Sequence, residues 1–392
     1  MIRGREQWER IEEQGLAPWA VRSARSGGRR YPQEHHQLRT EFQRDRDRIL
    51  HSRSFRRLEY KTQVFVHGTA DHYRTRLTHT MEMAAVGRTL ARSLGVNEGL
   101  TEAIALAHDI GHSPFGHAGE DTLNALMKNE GGFDHNQQSC RAVEILETPY
   151  PDFPGLNLTW EVRAGLRKHL AAVPGAELDG RPLGAFQSLE AQIADIADDL
   201  AYHAHDVDDG IEAGLLGDEA LSRLELWRRA VERTRRQYPS ASDDQGRLAA
   251  VRNLLDLQVE DVIETSAALI EHYAPDSVEA VRRAPQRLVA YSAEMQAQLE
   301  PFRAFLFEHM YWHPSVVEVN REAVELMRRL FLHYIEHPET LGRKARSRIE
   351  REGLWRTVCD YVAGMTDRYA LQECFRFGLV RPSELRFTPP HR

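Results

Sequence analysis

Cysteine is scarce in this chain: only three of its 392 residues are cysteines, and Cys140, Cys359 and Cys374 lie far apart. This number and spacing provide neither a disulfide framework nor a Cys-x-x-Cys zinc site. No run of 18 or more apolar residues is present, which argues against a membrane-spanning helix. The first residues, MIRGREQWERIEEQG, lack the apolar segment of a secretory signal. We therefore expect a cytoplasmic protein that does not contact a membrane.

Net positive charge is also absent, because the formal charge is −8 at pH 7. This balance argues against a general affinity for nucleic acids. The arginines are nevertheless concentrated, since residues 22–57 contain eleven of them. Such a cluster is either a solvated helix face or an anion site, because arginine binds phosphate through two parallel hydrogen bonds.

Strict alternation of apolar and polar residues, the pattern of a half-buried strand, is missing from every long stretch. Helical periodicity predicts an all-α fold and allows one short N-terminal hairpin near residues 58–70. We expect an arginine-rich segment (1–60), a helical core (61–235) and a C-terminal helical part (236–392). The predicted helices are 72–94, 97–110, 116–129, 135–147, 159–171, 187–208, 248–272, 277–310, 317–336, 342–349 and 352–375. For the second of them, Asn97 is the expected N-cap and Gly111 the expected left-handed residue after its end.

Titratable side chains are concentrated in one short stretch, AHDIGHSPFGHAGE, at residues 107–120. It follows an apolar run and contains three histidines, one aspartate and one glutamate. Buried imidazoles and carboxylates need partners, and a metal ion is the simplest partner for several of them. His108 and Asp109 are adjacent at the predicted helix end, where both side chains can converge on one ion.

Two further segments could complete such a metal site. His79 lies on the apolar face of the preceding helix, where a lone histidine is more often a core residue than a ligand. Asp198, Tyr202 and Asp206 are spaced four residues apart and therefore share one helical stripe, with apolar residues around it. A solvated acidic face is the alternative interpretation of this stripe. Two imidazoles and two carboxylates would suit Mn²⁺, Fe²⁺, Co²⁺, Ni²⁺ or Zn²⁺ better than Mg²⁺.

The set His79, His108–Asp109 and Asp198 resembles the HD superfamily of metal-dependent phosphohydrolases. Longer blocks are similar to the deoxyguanosinetriphosphate triphosphohydrolase family of dNTP hydrolases. In family order they are RDRDRILHSRSFRRLEYKTQVF (44–65), RLTHTMEMA (76–84), AHDIGHSPFGHAGE (107–120), GGFDHNQQS (131–139), ADDLAYHAHDVDDG (197–210) and DYVAGMTDRYA (360–370). An HD pair alone is weak evidence, whereas six ordered blocks are specific.

The resemblance implies an HD-domain helical core with additional C-terminal helices. It also implies a metal-dependent enzyme that attacks the α-phosphorus of a dNTP and releases a deoxynucleoside and tripolyphosphate. The residues that match the family's metal ligands are His79, His108, Asp109 and Asp198, and Mg²⁺ can accompany the substrate. His117 matches the catalytic histidine beside the α-phosphate, Glu120 the acid that orients it, and His112 a further histidine near phosphate.

Seven positions match substrate-binding residues of the family: Gln63, Arg76, His135, Asn136, Lys168, Tyr202 and Asp206. Arg76 and Lys168 correspond to phosphate contacts. Gln63 and Asp206 correspond to residues that hold the sugar 3′-hydroxyl, and Tyr202 to the aromatic ring under the sugar. The partners implied are a dNTP substrate, a second dNTP as activator and copies of the same chain in a hexamer or tetramer. The arginine-rich segment would supply contacts to the activator or weak contacts to single-stranded nucleic acid.

Two other functions explain part of the pattern. Another HD-type enzyme, such as a 5′-deoxynucleotidase or a cyclic-nucleotide phosphodiesterase, would use the same metal ligands. It would not explain the His117–Glu120 pair or the block DYVAGMTDRYA. A nucleotide-sensing or single-strand-binding regulator without turnover would not need His117 beside Glu120. No residue indicates which dNTP is preferred.

Overall fold

The computed structural model describes residues 3–64, 73–168, 173, 175–381 and 385. Helices make up almost all regular structure in these residues, which confirms the all-α prediction. Within them, the strands Glu177–Leu178 and Arg181–Pro182 form one antiparallel hairpin. Asp179 and Gly180 make its turn with φ values of 52° and 72°. Asp-Gly is the typical sequence of such a two-residue turn, so this hairpin was readable in the sequence but was not predicted.

The described residues form two structural units. The first consists of Met1–Ile49, His79–Leu106 and Asn157–Tyr311, and the second of Leu50–Thr78, Ala107–Leu156 and Trp312–Arg392. Each unit combines three segments that are separated from one another in the sequence. The three-part division expected from the sequence stays a prediction.

The first unit is organised around one long helix, Leu189–Glu212, which packs against Asp243–Tyr273 and Ala293–Leu306. His203 is fully buried on it and contacts Gln258 at 2.8 Å. Helices wholly or mostly in this unit are Arg5–Gly15, Glu41–Leu50, Arg76–Ser93, Glu98–Ala107, Trp160–Gly165, Leu189–Glu212, Asp218–Leu221, Glu225–Gln237, Asp243–Tyr273, Val278–Arg282 and Ala293–Leu306, with a 3₁₀ turn at Ser23–Arg25 and a π-helical turn at Phe307–Tyr311.

The second unit has its apolar core around the helix Pro314–Glu336, which contacts Gly116–Leu126, Leu354–Ala363 and Asp367–Arg376. Phe115 and Leu123 belong to this core. The helices of the unit are Arg53–Arg57, Gly116–Leu126, His135–Arg141, Pro314–Glu336, Arg343–Arg346, Ile349–Glu352, Leu354–Ala363 and Asp367–Arg376, with 3₁₀ turns at Leu58–Tyr60 and Pro338–Thr340 and a π-helical turn at Ala142–Leu146.

The end of the predicted helix 97–110 was wrong. Asn97 caps its start as expected, because its side-chain oxygen accepts the N–H of Leu100 at 3.1 Å. The helix Glu98–Ala107 ends before the HD pair, so His108 and Asp109 lie in the turn that follows. Gly111 does not have the expected positive φ. It allows a close approach instead, because a Cβ there would lie 2.1 Å from the Ser139 backbone nitrogen.

Two predicted long helices are broken. The helix expected at 277–310 ends at Arg282, shortly before Pro285, whose ring excludes the preceding residues from continuing a helix. The helix expected at 352–375 is interrupted at Gly364, and the Thr366 hydroxyl then caps Asp367–Arg376. Pro285 and Gly364 thus accompany helix ends at positions where the apolar periodicity alone predicted that the helix continues.

The predicted hairpin near 58–70 falls partly on residues 65–72, which lie outside the described residues. Of the described part, Leu58–Tyr60 is a 3₁₀ turn and Thr62 forms an isolated antiparallel bridge with Thr75. The helix expected at 159–171 covers Trp160–Gly165, and residues 169–172 are likewise outside the described range. Within the described chain, we find no helix whose length and hydropathy would suit a membrane span.

Candidate active site

His79 and Asp198, two of the predicted metal ligands, lie side by side in the first unit. His79 is on the helix Arg76–Ser93 and Asp198 on the helix Leu189–Glu212. The Nε2 atom of His79 is 3.0 Å from Oδ1 of Asp198. The imidazole is buried, whereas 33% of the Asp198 side chain is exposed. One ring nitrogen and one carboxylate oxygen are thus presented together, as a mixed nitrogen–oxygen metal site requires.

The other ring nitrogen of His79 belongs to a chain of polar contacts that the sequence analysis missed. His79 Nδ1 lies 3.1 Å from His205 Nδ1, and His205 Nε2 lies 2.5 Å from Glu82 Oε2. Glu82 follows His79 by three residues and His205 follows Asp198 by seven. These spacings place each pair on one helical face, so the signal was present in the sequence.

One protonation pattern of these contacts would leave a ring nitrogen of His79 available to a metal ion. If Glu82 accepts the Nε2–H of His205, and His205 Nδ1 accepts the Nδ1–H of His79, then His79 Nε2 carries a lone pair beside the Asp198 carboxylate at 3.0 Å. An imidazole nitrogen and a carboxylate oxygen in this arrangement fit a divalent metal ion.

The HD pair itself lies in the second unit, where Asp109 is buried among cationic and imidazole groups. His108 Nε2 and His112 Nε2 are each 3.2 Å from Asp109 Oδ1. Arg76 Nη1 donates to Asp109 Oδ2 at 2.7 Å. Burial by itself raises the pKa of Asp109, but His108, His112 and Arg76 outweigh it and hold the pKa well below the ordinary value. Asp109 is thus ionised at neutral pH and can accept hydrogen bonds or bind a cation.

Glu120 contacts His135 more closely than His117, its predicted partner. Its Oε1 lies 2.8 Å from His135 Nδ1 and accepts the backbone N–H of His135 at 2.9 Å. His117 Nδ1 is 3.6 Å from Oε2, and 69% of the His117 side chain is exposed. Burial raises the pKa of Glu120, but the imidazoles of His117 and His135 lower it far more. An ionised carboxylate therefore holds His135 by hydrogen bonds and lies 3.6 Å from the His117 ring.

His112 and Arg76 each have a buried polar atom, Nδ1 and Nε respectively, that can form a hydrogen bond with a ligand. Burial and the nearby Arg76 guanidinium hold the pKa of His112 well below its ordinary value, so the ring is neutral. Its ring stacks on that of His135 with centroids 3.9 Å apart. Among the described residues, no acceptor lies within hydrogen-bonding distance of the buried Nε of Arg76. Asp109, His112 and His135 also offer ligand atoms within 4.8 Å of one another, a second arrangement in this unit that could hold a cation.

The stripe Asp198–Tyr202–Asp206 lies on one helix, as predicted, and Tyr311 joins it. The Tyr311 hydroxyl donates to the Asp206 carboxylate. The rings of Tyr202 and Tyr311 are parallel, with centroids 6.0 Å apart. Burial and the Asp206 carboxylate raise the pKa of Tyr202, which keeps its hydroxyl protonated. The sequence analysis missed Tyr311, because it follows Asp206 by 105 residues and no local spacing relates the two.

Three predicted binding residues remain, Lys168, Asn136 and Gln63, and their contacts indicate no particular ligand. Lys168 Nζ lies 3.0 Å from Asp195, which also pairs with Arg287 at 2.6 Å. Asn136 follows His135 in the first turn of the helix His135–Arg141. The buried side-chain oxygen of Gln63 has no hydrogen-bond donor near it within the described part of the chain. This oxygen can accept a hydrogen bond from a ligand.

The arginine-rich segment is largely engaged within the chain. Arg29 bridges Glu41 and Asp45 at 2.6 and 2.5 Å with almost no exposure. Of the eleven arginines in residues 22–57, seven lie in ion pairs with carboxylates: Arg22, Arg25, Arg29, Arg30, Arg39, Arg44 and Arg46. These carboxylates offset much of the charge that suggested an anion site, and binding of an activator or nucleic acid there stays a prediction.

Comparison with known proteins identifies the family to which the chain belongs. The model of the HD domain matches residues 76–203, and that of the phosphohydrolase-associated domain matches residues 289–376. A deoxyguanosinetriphosphate triphosphohydrolase-like protein of Geobacter sulfurreducens is 44% identical over 376 residues, covering 95% of this chain and 97% of the relative. Proteins of the same name are 45% identical in Geobacter metallireducens (98% of each chain) and 46% identical in Bordetella pertussis (91% of this chain, 95% of the relative). The chain is therefore an HD-domain phosphohydrolase and belongs to the deoxyguanosinetriphosphate triphosphohydrolase-like family.

Proposed function

We propose that this protein is a metal-dependent dNTP triphosphohydrolase, which cleaves a dNTP at the α-phosphorus into a deoxynucleoside and tripolyphosphate. One observation carries the proposal. The helix Leu189–Glu212 presents Asp198, whose Oδ1 lies 3.0 Å from His79 Nε2, and on the same stripe Tyr202 and Asp206. A carboxylate proposed to bind a cation is thereby followed, at about 6 Å for each step of four residues, by an aromatic ring and a carboxylate proposed to bind a hydroxyl. A deoxynucleoside attached to a metal-bound phosphate has the same order of groups.

The proposed metal ligands are His79, His108, Asp109 and Asp198, and their assignment to one ion rests on the family pattern. The donor set suits Mn²⁺, Fe²⁺, Co²⁺, Ni²⁺ or Zn²⁺, and Mg²⁺ is proposed to accompany the substrate. When bound, a divalent ion polarises the phosphoryl oxygen and lowers the pKa of a bound water. Arg76 would add its Nε–H to a phosphate oxygen, since its Nη1 is engaged by Asp109.

His117 is the proposed proton-transfer residue, because its imidazole is exposed and lies near an ionised carboxylate. Glu120 would hold one ring nitrogen in its protonated form and leave the other free to exchange a proton with the substrate. Neutral His112 would donate its Nε2–H to Asp109 and leave its buried Nδ1 lone pair to accept a hydrogen bond from a ligand group or a water beside the phosphates. His135 and Asn136 would line the pocket, and Lys168 would contact the phosphates.

Product analysis tests the proposed function directly. Purified protein would be incubated with each of the four dNTPs and with Mg²⁺ or Mn²⁺, and the products separated by ion-exchange chromatography. We expect deoxynucleoside and tripolyphosphate in equal amounts. Release of orthophosphate or of pyrophosphate would contradict attack at the α-phosphorus with a triphosphate leaving group. It would favour another HD-type reaction, and no turnover of any dNTP would favour a regulator.

Discrimination against ribonucleotides is expected from the sugar-side residues. The rings of Tyr202 and Tyr311 are parallel, and the Tyr311 hydroxyl already occupies the Asp206 carboxylate, so this cluster offers no further acceptor to a 2′-hydroxyl. A buried hydroxyl without a partner costs about 1–3 kcal/mol, which is about 5–150-fold in kcat/KM. We expect dNTPs to be preferred over NTPs by that factor. Tyr202→Ala should narrow the preference, whereas Asp206→Ala should weaken both substrates alike. Equal kcat/KM for dATP and ATP and for dGTP and GTP would contradict this model.

The polar contacts that link Glu82 through His205 to His79 predict that Glu82 affects metal affinity. Glu82→Ala removes the acceptor that fixes the tautomers of His205 and His79. Loss of such a partner typically weakens metal affinity by about 10–100-fold. Chelator competition would measure this loss without any substrate. Glu98→Ala is the matched control, because Glu98 is an ion-paired glutamate whose partner is Arg92. Equal metal affinity of Glu82→Ala and Glu98→Ala would refute the role of Glu82.

A homo-oligomer, as a hexamer or tetramer, and activation by a second dNTP are further proposals that rest on the family resemblance. Rates in dNTP mixtures that exceed the rate with any single dNTP would support activation. Analytical ultracentrifugation would determine the oligomeric state.

A further inference from the structure

The block DYVAGMTDRYA is the one similarity block that the proposed mechanism does not use, and its second aspartate is buried in the second unit. Asp367 is 4% exposed and begins the helix Asp367–Arg376. Its Oδ1 accepts the backbone N–H of Phe115 at 2.9 Å. Its Oδ2 accepts the backbone N–H and the hydroxyl of Thr62 at 2.9 and 2.5 Å. One carboxylate thus joins two segments that are distant in sequence from it.

The hydrogen bond from the Phe115 N–H to Asp367 lies at a residue with an unfavourable backbone conformation. Phe115 has a φ of 61°, and Gly116 follows with 57°. A bulky residue rarely adopts this left-handed conformation unless its surroundings impose it. The Phe115 ring is buried in the apolar core of the unit, and its N–H is held by Asp367. Both contacts keep the chain in the turn between His112 and His117.

A buried lysine holds the other side of the same loop. Lys61 is 1% exposed, and its ammonium group donates to the backbone carbonyl of His112. It also donates to the carbonyl of Ala363 at 3.0 Å, at the end of the helix Leu354–Ala363. Lys61 is adjacent to Thr62, the residue bonded to Asp367. The backbone on both sides of Pro114 is therefore tied to the C-terminal segment 363–367 by one buried lysine and one carboxylate.

We propose that Asp367 is a positioning residue of the active site: its carboxylate holds the strained turn at Phe115 so that His112 and His117 keep the orientation that the reaction requires. This proposal rests on the proposed function only for its effect on turnover. The effect on the loop itself follows from the contacts alone. The block around Asp367 thereby gains a role that requires no contact with substrate.

Hydrogen exchange and kinetics on Asp367→Ala test the proposal. Removing the carboxylate removes three hydrogen bonds, and loss of one such buried bond corresponds to about 5–150-fold in a local opening equilibrium. We expect amides in the peptide 111–118 to exchange faster by that factor. We also expect kcat to fall about 10–100-fold, as for other outer-shell partners, while KM and bound metal change less than twofold.

Asp360→Asn is the matched control. Asp360 lies in the same block, its side chain is fully buried, and it pairs with Arg141 and Arg348 rather than with the loop. Its substitution should lower the melting temperature as much as Asp367→Ala does, but leave exchange of 111–118 and kcat within about twofold. Equal effects of both variants on the loop and on kcat would reduce Asp367 to a general stabilising residue and overturn the proposal.

Asp367→Asn keeps the test decisive if the alanine variant does not fold. The amide oxygen can still accept the Phe115 N–H, whereas the amide nitrogen faces the Thr62 N–H, so an intermediate exchange rate and intermediate kcat are expected. Wild-type exchange and kcat in this variant would contradict a requirement for the carboxylate. If the unmodified protein hydrolyses no dNTP, the proposed function fails, but the exchange comparison still decides whether Asp367 holds the loop.

Discussion

Asp109→Ala is expected to abolish turnover and to release the metal ion. Asp109 is buried and its pKa is held low, which suits the role of anionic ligand that we propose for it. Loss of an outer-shell partner alone costs about 10–100-fold in metal affinity or activity, and loss of a direct ligand should exceed that range. The variant also leaves the Arg76 guanidinium without its carboxylate, which destabilises a buried site by about 3–5 kcal/mol. Metal analysis of the purified protein and a steady-state assay would measure both effects.

Asp109→Asn separates loss of the ligand from loss of the fold. The amide preserves the shape of the side chain but not its charge, so the protein should fold and still bind metal weakly. Asp121→Ala, at an exposed aspartate of the nearby helix Gly116–Leu126, serves as the control. Stoichiometric metal and normal activity in Asp109→Ala would show that the assigned site is wrong.

His117→Ala is expected to lower kcat by about 10²–10⁴-fold, the usual range for loss of a general acid or base. The variant should keep its metal and its dNTP affinity, because the His117 side chain is exposed and contacts Glu120 only at 3.6 Å. Burst kinetics and equilibrium binding would separate the chemical step from binding. His337→Ala is the matched control, since His337 is an exposed imidazole 3.4 Å from Glu339.

The structure changes what is expected of the pair with Glu120. The sequence suggested that His117 and Glu120 act as one unit, so that the double variant would be no worse than His117→Ala. Glu120 holds His135 at 2.8 Å as well. We therefore expect the double variant to be slower than His117→Ala alone, because His135 and the stacked His112 lose their support. Equal rates would indicate that the Glu120–His135 contact has no catalytic effect.

Much of the site was readable from the sequence because it depends on spacing along single helices. Asp198, Tyr202 and Asp206 share one face of Leu189–Glu212, as the four-residue spacing predicted. Glu82 and His205 obey the same rule, since Glu82 follows His79 by three residues and His205 follows Asp198 by seven. The position of the HD pair was harder to predict, since the helix ends at Ala107 and the following turn is set by the close approach of Gly111 to Ser139.

The sequence by itself determined the helical fold, the residue types of the site and the family, because periodicity and motif spacing are local properties. The tertiary structure alone decided which partner each buried polar group has. Tyr311 reaches Asp206 across 105 residues, His205 reaches His79 across 126, and Asp367 reaches Phe115 across 252. No local pattern encodes such contacts, because a buried donor or acceptor is satisfied by whichever element packs beside it. The tautomer of His79 and the turn before His117 depend on these contacts.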